Sequence, residues 1–359
     1  MNEVVIFLPN WVGDAVMATP VLRALREGLD QRVRLVGVCK PVIGALLQGT
    51  QWLSKYLVNP PVNDTGFLGR FEMVRKLHIA SFDTAILLPN SFESAFIARL
   101  SGFKKIVGYG RDGRSFLLTD PLVAPRNGRK WQAISPVDYY LRIADYMDCD
   151  SGDRRMELGL TPMDLFLYRK FWLRTGFSAD RHTIVINNSG AFGGSKHWPD
   201  RYVFDLALLL ANSDYQVILH CGPDERVAAN AIACKLNSPK IQSMGIMDYL
   251  PIGLSKSVLA HASLVVTTDS SPRHIALAFN KPVVTLFGPT DYQWTRTYNV
   301  SESVLAEELP CRACWKRHCP LGHHNCMVNL SVEKVFAEVR NRIMEFDTFY
   351  PRGSSYLEW

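Results

Sequence analysis

Eight short apolar runs, separated by longer stretches of helical spacing, constrain this chain more than any other feature. They are Val4–Leu8, Val33–Val38, Thr84–Leu88 and Lys105–Gly108 in the first half, and Thr183–Asn187, Gln216–Cys221, Leu264–Thr267 and Pro282–Phe287 in the second. Each is continuously apolar rather than alternating, as a strand must be when both faces of its sheet are covered. Helical spacing falls between them, at 21–29, 91–101, 201–212, 223–236 and 272–279. Strand–helix–strand alternation of this kind builds parallel sheets with right-handed crossovers. The alternation stops between about 109 and 181, where helical patterns occupy 135–147 and 162–175, and it resumes at Thr183. An interdomain connection near 175–182 follows, with a doubly wound α/β domain on each side. The expected division is 1–178, 179–330, and a C-terminal helix and tail over 331–359 free to pack back across either domain, the N-terminal one included. A chain of 359 residues accommodates two such domains.

Hydrophobic residues at 47% and charged residues at 21% exclude a disordered or fibrous chain. No apolar run approaches the roughly 18 residues of a membrane-spanning helix. The start, Met1-Asn2-Glu3 running straight into Val4–Leu8, lacks the basic opening and cleavage site of an export signal, so a cytoplasmic protein is expected.

Charge is uneven within a formal net of +6. Residues 99–130 carry Arg99, Lys104, Lys105, Arg111, Arg114, Arg126, Arg129 and Lys130 against only Asp112 and Asp120. Such an excess suits an anionic partner, or simply a solvated face. The cysteines are uneven too. Cys311-x2-Cys314-x4-Cys319-x6-Cys326, with His318, His323 and His324 interspersed, has the ligand types of a structural zinc site but only one short pair. Zinc, buried or redox-active thiols and a disulfide all remain open from spacing, with the disulfide disfavoured by the absent export signal. Basic stretch and cysteines lie far apart, and no nucleic-acid motif accompanies them, so no nucleic-acid partner is expected.

Three strand-to-helix turns carry site chemistry, because open α/β sheets bind ligands at the carboxyl ends of their strands. The first is Leu8-Pro9-Asn10-Trp11-Val12-Gly13-Asp14. Pro20 makes the following helix kink or begin near Thr19; in the second case Asp14 lies in a loop, free to act as a general base. The second turn, Thr267-Thr268-Asp269-Ser270-Ser271-Pro272-Arg273-His274, opens a helix with two hydroxyls, free amides and basic neighbours. That is a seat for phosphate. The third, Asn188 to Pro199, is glycine-rich and sets Lys196 before a helix, where a lysine neutralises diphosphate. Neither the P-loop nor the dinucleotide glycine fingerprint is present, so the pattern suggests neither a kinase nor a dehydrogenase.

These residues, in this order, resemble the ADP-heptose:lipopolysaccharide heptosyltransferases of glycosyltransferase family 9, the heptosyltransferase II branch above all. The matching pieces are Pro9–Asp14, Leu88-Pro89-Asn90-Ser91-Phe92-Glu93-Ser94-Ala95, Lys196-His197-Trp198-Pro199, Thr268-Asp269-Ser270 with His274, and Phe287-Gly288-Pro289-Thr290. The resemblance implies a GT-B fold, two Rossmann-like domains facing across a cleft, with the acceptor mainly on the first and ADP-sugar on the second. It implies an inverting transfer of L-glycero-D-manno-heptose from ADP-heptose to the first heptose of the lipopolysaccharide inner core, with no obligatory cofactor. Other nucleotide-sugars or acceptors, or a non-catalytic ADP-sugar binder, are the alternatives. Asp14 matches the catalytic aspartate; Lys196, Asp269, Ser270, Ser271 and His274 match the donor-diphosphate site. Gly222 and Glu225, after the next strand, are expected near the donor ribose. The basic stretch would meet the core or the cytoplasmic face of the inner membrane as a peripheral contact. One departure is visible: Ser271 stands where the family usually has glycine.

Overall fold

The computed structural model describes residues 3–58, 62–80, 82–128, 130–188, 190, 193–298 and 301–349. Arg129 of the basic stretch, Ser189, Ala191 and Phe192 of the glycine-rich turn, and the tail beyond residue 349 lie outside the described residues.

Two compact units divide the chain, one of residues 1–159 with 293–298, the other of residues 160–292 with 299–359. The first is built on β1 (Glu3–Phe7), β2 (Arg34–Cys39), β3 (Lys55–Val58), β4 (Thr84–Leu87), β5 (Lys105–Tyr109) and β6 (Asp120–Leu122), followed by a small hairpin, β7 (Arg126–Asn127) and β8 (Lys130–Trp131). The second is built on β9 (Thr183–Asn187), β10 (Gln216–His220), β11 (Ile241–Ser243), β12 (Leu264–Thr268), β13 (Val283–Phe287) and β14 (Glu302–Ala306). The spatial orders are β3-β2-β1-β4-β5-β6 and β11-β10-β9-β12-β13-β14, with every pairing parallel. Both are doubly wound Rossmann-like sheets, as the alternation of runs requires. In each, strand order reverses between the first and fourth strands, the switch point at which such sheets bind ligands.

All eight predicted strands are present to within a residue or two at their ends. Their interior residues are buried, as both-face coverage demands. The predicted break in the alternation is partly filled, since β6 lies inside it.

The helix Pro162–Thr175, expected in the first domain, packs instead on helix Ile252–His261 of the second unit, so the boundary falls at 159–160 rather than 178–179. A stacked pair, Tyr168 on His261 at 4.1 Å, and one buried carboxylate hold the attachment. Asp164 accepts the Thr161 amide in a capping box and pairs with Lys256 Nζ at 2.9 Å. Lys256 has 0% side-chain exposure, and burial pulls its ammonium pKa down against the pull of Asp164. Gly253 leaves room for this approach; a Cβ there would stand 2.1 Å from the Asp164 carboxylate. The C-terminal helix Val332–Phe349 likewise belongs to the second unit, where Val335, Val339 and Ile343 enter the core beside helix Asp200–Asn212. Of the two domains left open to it, the helix packs on the second. Its apolar stripe, spaced four residues apart, matches the groove beside β12 and β13.

Removing one member of a buried pair strands the other. Asp164→Ala is therefore expected to lower unfolding free energy in urea by about 3–5 kcal/mol. Adding Lys256→Met should recover part of the loss because no lone charge remains. A single variant within about 0.5 kcal/mol of wild type, the range of an ordinary surface substitution, would show the pair to be dispensable.

Candidate functional site

At the carboxyl end of the second sheet, the ends of β9, β10 and β12 are joined by one polar ladder. Asn187, the last residue of β9, donates through Nδ2 to Thr267 Oγ1 and Ser270 Oγ, each at 2.9 Å. Its Oδ1 lies 3.1 Å from His220 Nδ1, so that nitrogen carries the proton and Nε2 accepts from Ser255 Oγ at 2.6 Å. Burial holds His220 neutral, its pKa down at about 4.

Beside the ladder stands a closed cluster of charges. Lys196 Nζ donates to the Asp269 carboxylate at 2.6 Å and to the Asp269 carbonyl at 2.8 Å. Thr290 Oγ1 donates to the same carboxylate at 2.9 Å, and Arg273 Nη1 reaches its other oxygen at 3.2 Å. Arg273 turns its remaining nitrogens to Glu302, at 2.5 and 3.0 Å, and Thr285 caps Glu302 at 2.6 Å. Burial alone would raise the Asp269 pKa, but Arg273 and Lys196 outweigh it and hold the carboxyl down at about 2. His274 was expected to add positive charge; it does not. Buried among these groups, and repelled by Arg273, its pKa falls to about 3, so the ring is neutral. Its Nδ1 is buried without a hydrogen-bond partner among the described residues.

Helix Ser271–Ala278 begins here, with Ser270 at its cap position and Pro272 in its first turn. The Ser270 hydroxyl is engaged with Asn187 and makes no cap bond, so the helix end keeps no side-chain acceptor of its own. An unsatisfied helix N-terminus attracts anions. Ser271 has ordinary helical backbone geometry and is absent from the left-handed residues. Serine in place of the family's glycine therefore meets no φ penalty.

Lys196, Asp269 and Ser270 are thus brought together, with Ser271 and His274 on the same turn. Gly222 and Glu225 follow β10 in a different arrangement: the Glu225 carboxylate accepts the Gly222 amide at 2.9 Å, folding the turn upon itself. Asn187, His220, Thr290 and Glu302 were missed as site residues. Thr290 lay inside a quoted motif; the others are single polar residues in or at the end of strands, where only sheet register gathers them.

The loop bearing Lys196 is supported by the cysteine segment. Ser195 donates its amide to the Arg317 carbonyl at 3.1 Å and its hydroxyl to the Lys316 carbonyl at 2.5 Å, while its own carbonyl accepts from His324 Nε2 at 2.8 Å. Gly193, at φ 140°, lies against Arg317 so closely that a Cβ would meet its carbonyl oxygen at 2.7 Å. Cys311, Cys314, Cys319 and Cys326 are free thiols. Backbone amides from Leu321 to His324 draw the Cys319 thiol pKa down. The hydrogen bonds to Ser195 make the segment a support for that loop; among the described residues no three His, Cys, Asp or Glu side chains converge at metal-ligand spacing.

In the first unit, Asp14 does not sit in a loop. It is the third residue of the short helix Val12–Met17, which ends at Ala18 before a second helix, Thr19–Gly28, with Pro20 in its first turn. The break at Ala18 meets the proline's requirement and leaves Asp14 at the switch point above β1. Burial raises its carboxyl pKa to about 6. Among the described residues no hydrogen bond or ion pair engages its side chain. Tyr140 is near enough to feel its charge. Across the switch point, the Pro89-Asn90-Ser91 turn after β4 is held by Arg114. That guanidinium is fully buried and donates to the carbonyls of Pro89 at 2.6 Å and Ser91 at 2.9 Å. A small cavity lies between Asn10 and Pro89-Ser91. Among the described residues no helix is long and apolar enough to cross a membrane.

The profile of glycosyltransferase family 9 (heptosyltransferase) matches residues 70–325. The chain is 24% identical over 341 residues to lipooligosaccharide heptosyltransferase 2 of Campylobacter jejuni subsp. jejuni serotype O:6, covering 94% of this chain and 98% of that one. It superimposes on Escherichia coli ADP-heptose lps heptosyltransferase II with a TM-score of 0.78 at 21% identity, covering 96% and 99% of the two chains. E. coli heptosyltransferase WaaC with ADP-2-deoxy-2-fluoro heptose gives 0.68 at 17% identity, covering 94% and 99%. The solved structures share the GT-B fold of two Rossmann-like sheets expected for this chain.

Because its folded pKa lies above the ordinary value near 4, Asp14 destabilises the native state as pH rises through about 4 to 6, when the proton must leave a buried site. Asp14→Asn should therefore unfold at higher urea than wild type at pH 8, by up to about 3 kcal/mol, and match it below about pH 4. Equal midpoints at both pH values would show the carboxyl to be solvated.

Proposed function

The chain belongs to glycosyltransferase family 9, the heptosyltransferases, and we propose that it moves L-glycero-D-manno-heptose from ADP-heptose to the first heptose of the lipopolysaccharide inner core, with inversion. The observation that carries the mechanism is Asp14: a carboxylate at a switch point, without a hydrogen-bond or ion-pair partner among the described residues and raised to about 6 by burial. At neutral pH it is ionised yet basic enough to take a proton, the requirement for a general base. It removes the acceptor hydroxyl's proton as that oxygen bonds to the anomeric carbon. The bond from that carbon to the diphosphate breaks, and ADP leaves with the electron pair. The full length of the heptosyltransferase 2 relative is matched, and the WaaC structure holds an ADP-heptose analogue, which supports the donor named here.

Charge developing on ADP is met in the second unit by Lys196 and the open start of helix Ser271–Ala278. In the structure Lys196 is already shared with Asp269, so the diphosphate is received by a lysine held in place rather than by a mobile one. Preorganised donors of that kind stabilise a transition state without reorganising. Asp269, Thr290 and Arg273 position Lys196, and neutral His274 adds no charge. Glu225 and Gly222 are assigned to the ribose end of the donor. The acceptor belongs to the first unit and ADP-heptose to the second. The acceptor's chemistry and the basic stretch support a peripheral position at the cytoplasmic face of the inner membrane.

ADP release from ADP-heptose, measured with and without a core acceptor ending in its first heptose, tests the reading. Acceptor-dependent release with a matching mass gain is expected. Release only from another ADP-, UDP- or GDP-sugar would move the assignment to a different donor, and tight ADP binding without transfer would favour a non-catalytic binder. Asp14→Ala should reduce turnover about 10²–10⁴-fold with ADP affinity near normal. Wild-type kcat/KM should rise with unit slope to a plateau above about pH 6, the titration of Asp14. Lys196→Ala should reduce kcat about 10²–10³-fold and weaken ADP binding; an unchanged dissociation constant would remove it from the donor site.

A further inference from the structure

The polar ladder at the end of the second sheet has a direction. Ser255, on helix Ile252–His261, donates its hydroxyl to His220 Nε2 at 2.6 Å. The neutral ring then carries its one proton on Nδ1, which donates to Asn187 Oδ1 at 3.1 Å. The Asn187 amide nitrogen turns its two hydrogens to Thr267 Oγ1 and Ser270 Oγ, each at 2.9 Å. Donor follows donor in one sense through β10, β9 and the turn after β12, and hydrogen bonds aligned in this way polarise one another.

The chain ends on a hydrogen without a good acceptor. Thr267 commits its own hydroxyl hydrogen to the Thr268 carbonyl at 2.9 Å. The Ser270 hydroxyl reaches only that same carbonyl at 3.3 Å and Thr267 Oγ1 at 3.4 Å. Both are beyond the roughly 2.5–3.0 Å of a sound hydroxyl hydrogen bond. Ser270 is half-buried and stands at the start of helix Ser271–Ala278 without capping it. A serine free to turn at such a position accepts from its own helix amides, and would cover the end that attracts an anion. The bond from Asn187 prevents that turn and leaves the hydrogen for an oxygen arriving at the helix end.

We propose that Ser255, His220 and Asn187 are positioning residues that hold Ser270 Oγ as a hydrogen-bond donor to a phosphate oxygen of the donor nucleotide. The proposal rests on the reading of this helix end as the diphosphate seat. Each of the three acts through the next, and the leaving diphosphate meets a hydroxyl already polarised toward it.

ADP binding by isothermal titration calorimetry tests it through a double-variant cycle, with every variant checked by thermal melt. Ser270→Ala should weaken ADP binding about tenfold or more, the scale of a hydrogen bond to a charged group. His220→Leu should weaken it by a similar factor, and the two together by no more than either alone, because His220 acts through Ser270. His220→Asn sets an amide hydrogen where the Nδ1 proton stood and should recover most of the affinity. Full additivity in the double variant would overturn the proposal, as would Ser270→Ala or His220→Leu that binds ADP like wild type. His220→Asn as weak as His220→Leu would overturn it too, making the ring a packing element. If His220→Leu does not fold, Ser255→Ala with and without Ser270→Ala takes its place, and additivity there again overturns the ladder. Wild type that binds no ADP would take down the donor-seat reading, and the ladder's role with it.

Discussion

A carboxylate removed from water stays ionised only where positive charge and hydrogen bonds replace its solvent, and the second unit is organised around one that does. Asp269 is 5% exposed, and three elements meet at it: the loop of Lys196, the helix of Arg273 and the turn of Thr290 after β13. Arg273 extends the arrangement to Glu302 on β14, at the far edge of the sheet. The carboxylate thereby sets the position of Lys196. Lys196, Asp269, Arg273 and Glu302 contribute two charges of each sign, so the cluster carries no net charge.

The first unit repeats the topology with different contents. Its switch point has an ionisable carboxylate without a partner among the described residues, where the second has one fully engaged. The same physics, burial of an acid, raises Asp14 and is overcome at Asp269. The difference lies in neighbouring cations. That contrast suits one acid to proton transfer and the other to architecture.

The interior of each sheet was legible because its strands are buried on both faces and therefore continuously apolar. Besides the short β7–β8 hairpin, the strands that escaped notice, β3, β6, β11 and β14, are the four edges of the two large sheets. Lys55, Asp120, Gln242 and Glu302 interrupt them, since an edge strand meets solvent or ion pairs on one side. The domain boundary was misplaced for a similar reason. Nothing local in Pro162–Thr175 says which unit it joins, and that choice is made by Lys256, more than eighty residues later. Asp14, Lys196 and Asp269 were visible because each lies in a strand-to-helix turn with its own chemistry. Asn187 and His220 look, in sequence, like the polar ends of apolar strands; only the parallel register of β9 with β10 and β12 turns them into a ladder.

Burial also decides how the two ends of the reaction respond to their medium. The Asp269, Arg273 and Glu302 side chains are buried, so mobile ions weaken their pairing little. At 0.15 M salt, charges open to water lose most of their influence beyond about 8 Å. Arg126, on its exposed hairpin, is subject to that screening, whereas Arg273, in the core, is not. Ionic strength should therefore discriminate within one chain, leaving the buried Asp269–Arg273–Glu302 framework intact while weakening the reach of the exposed arginines.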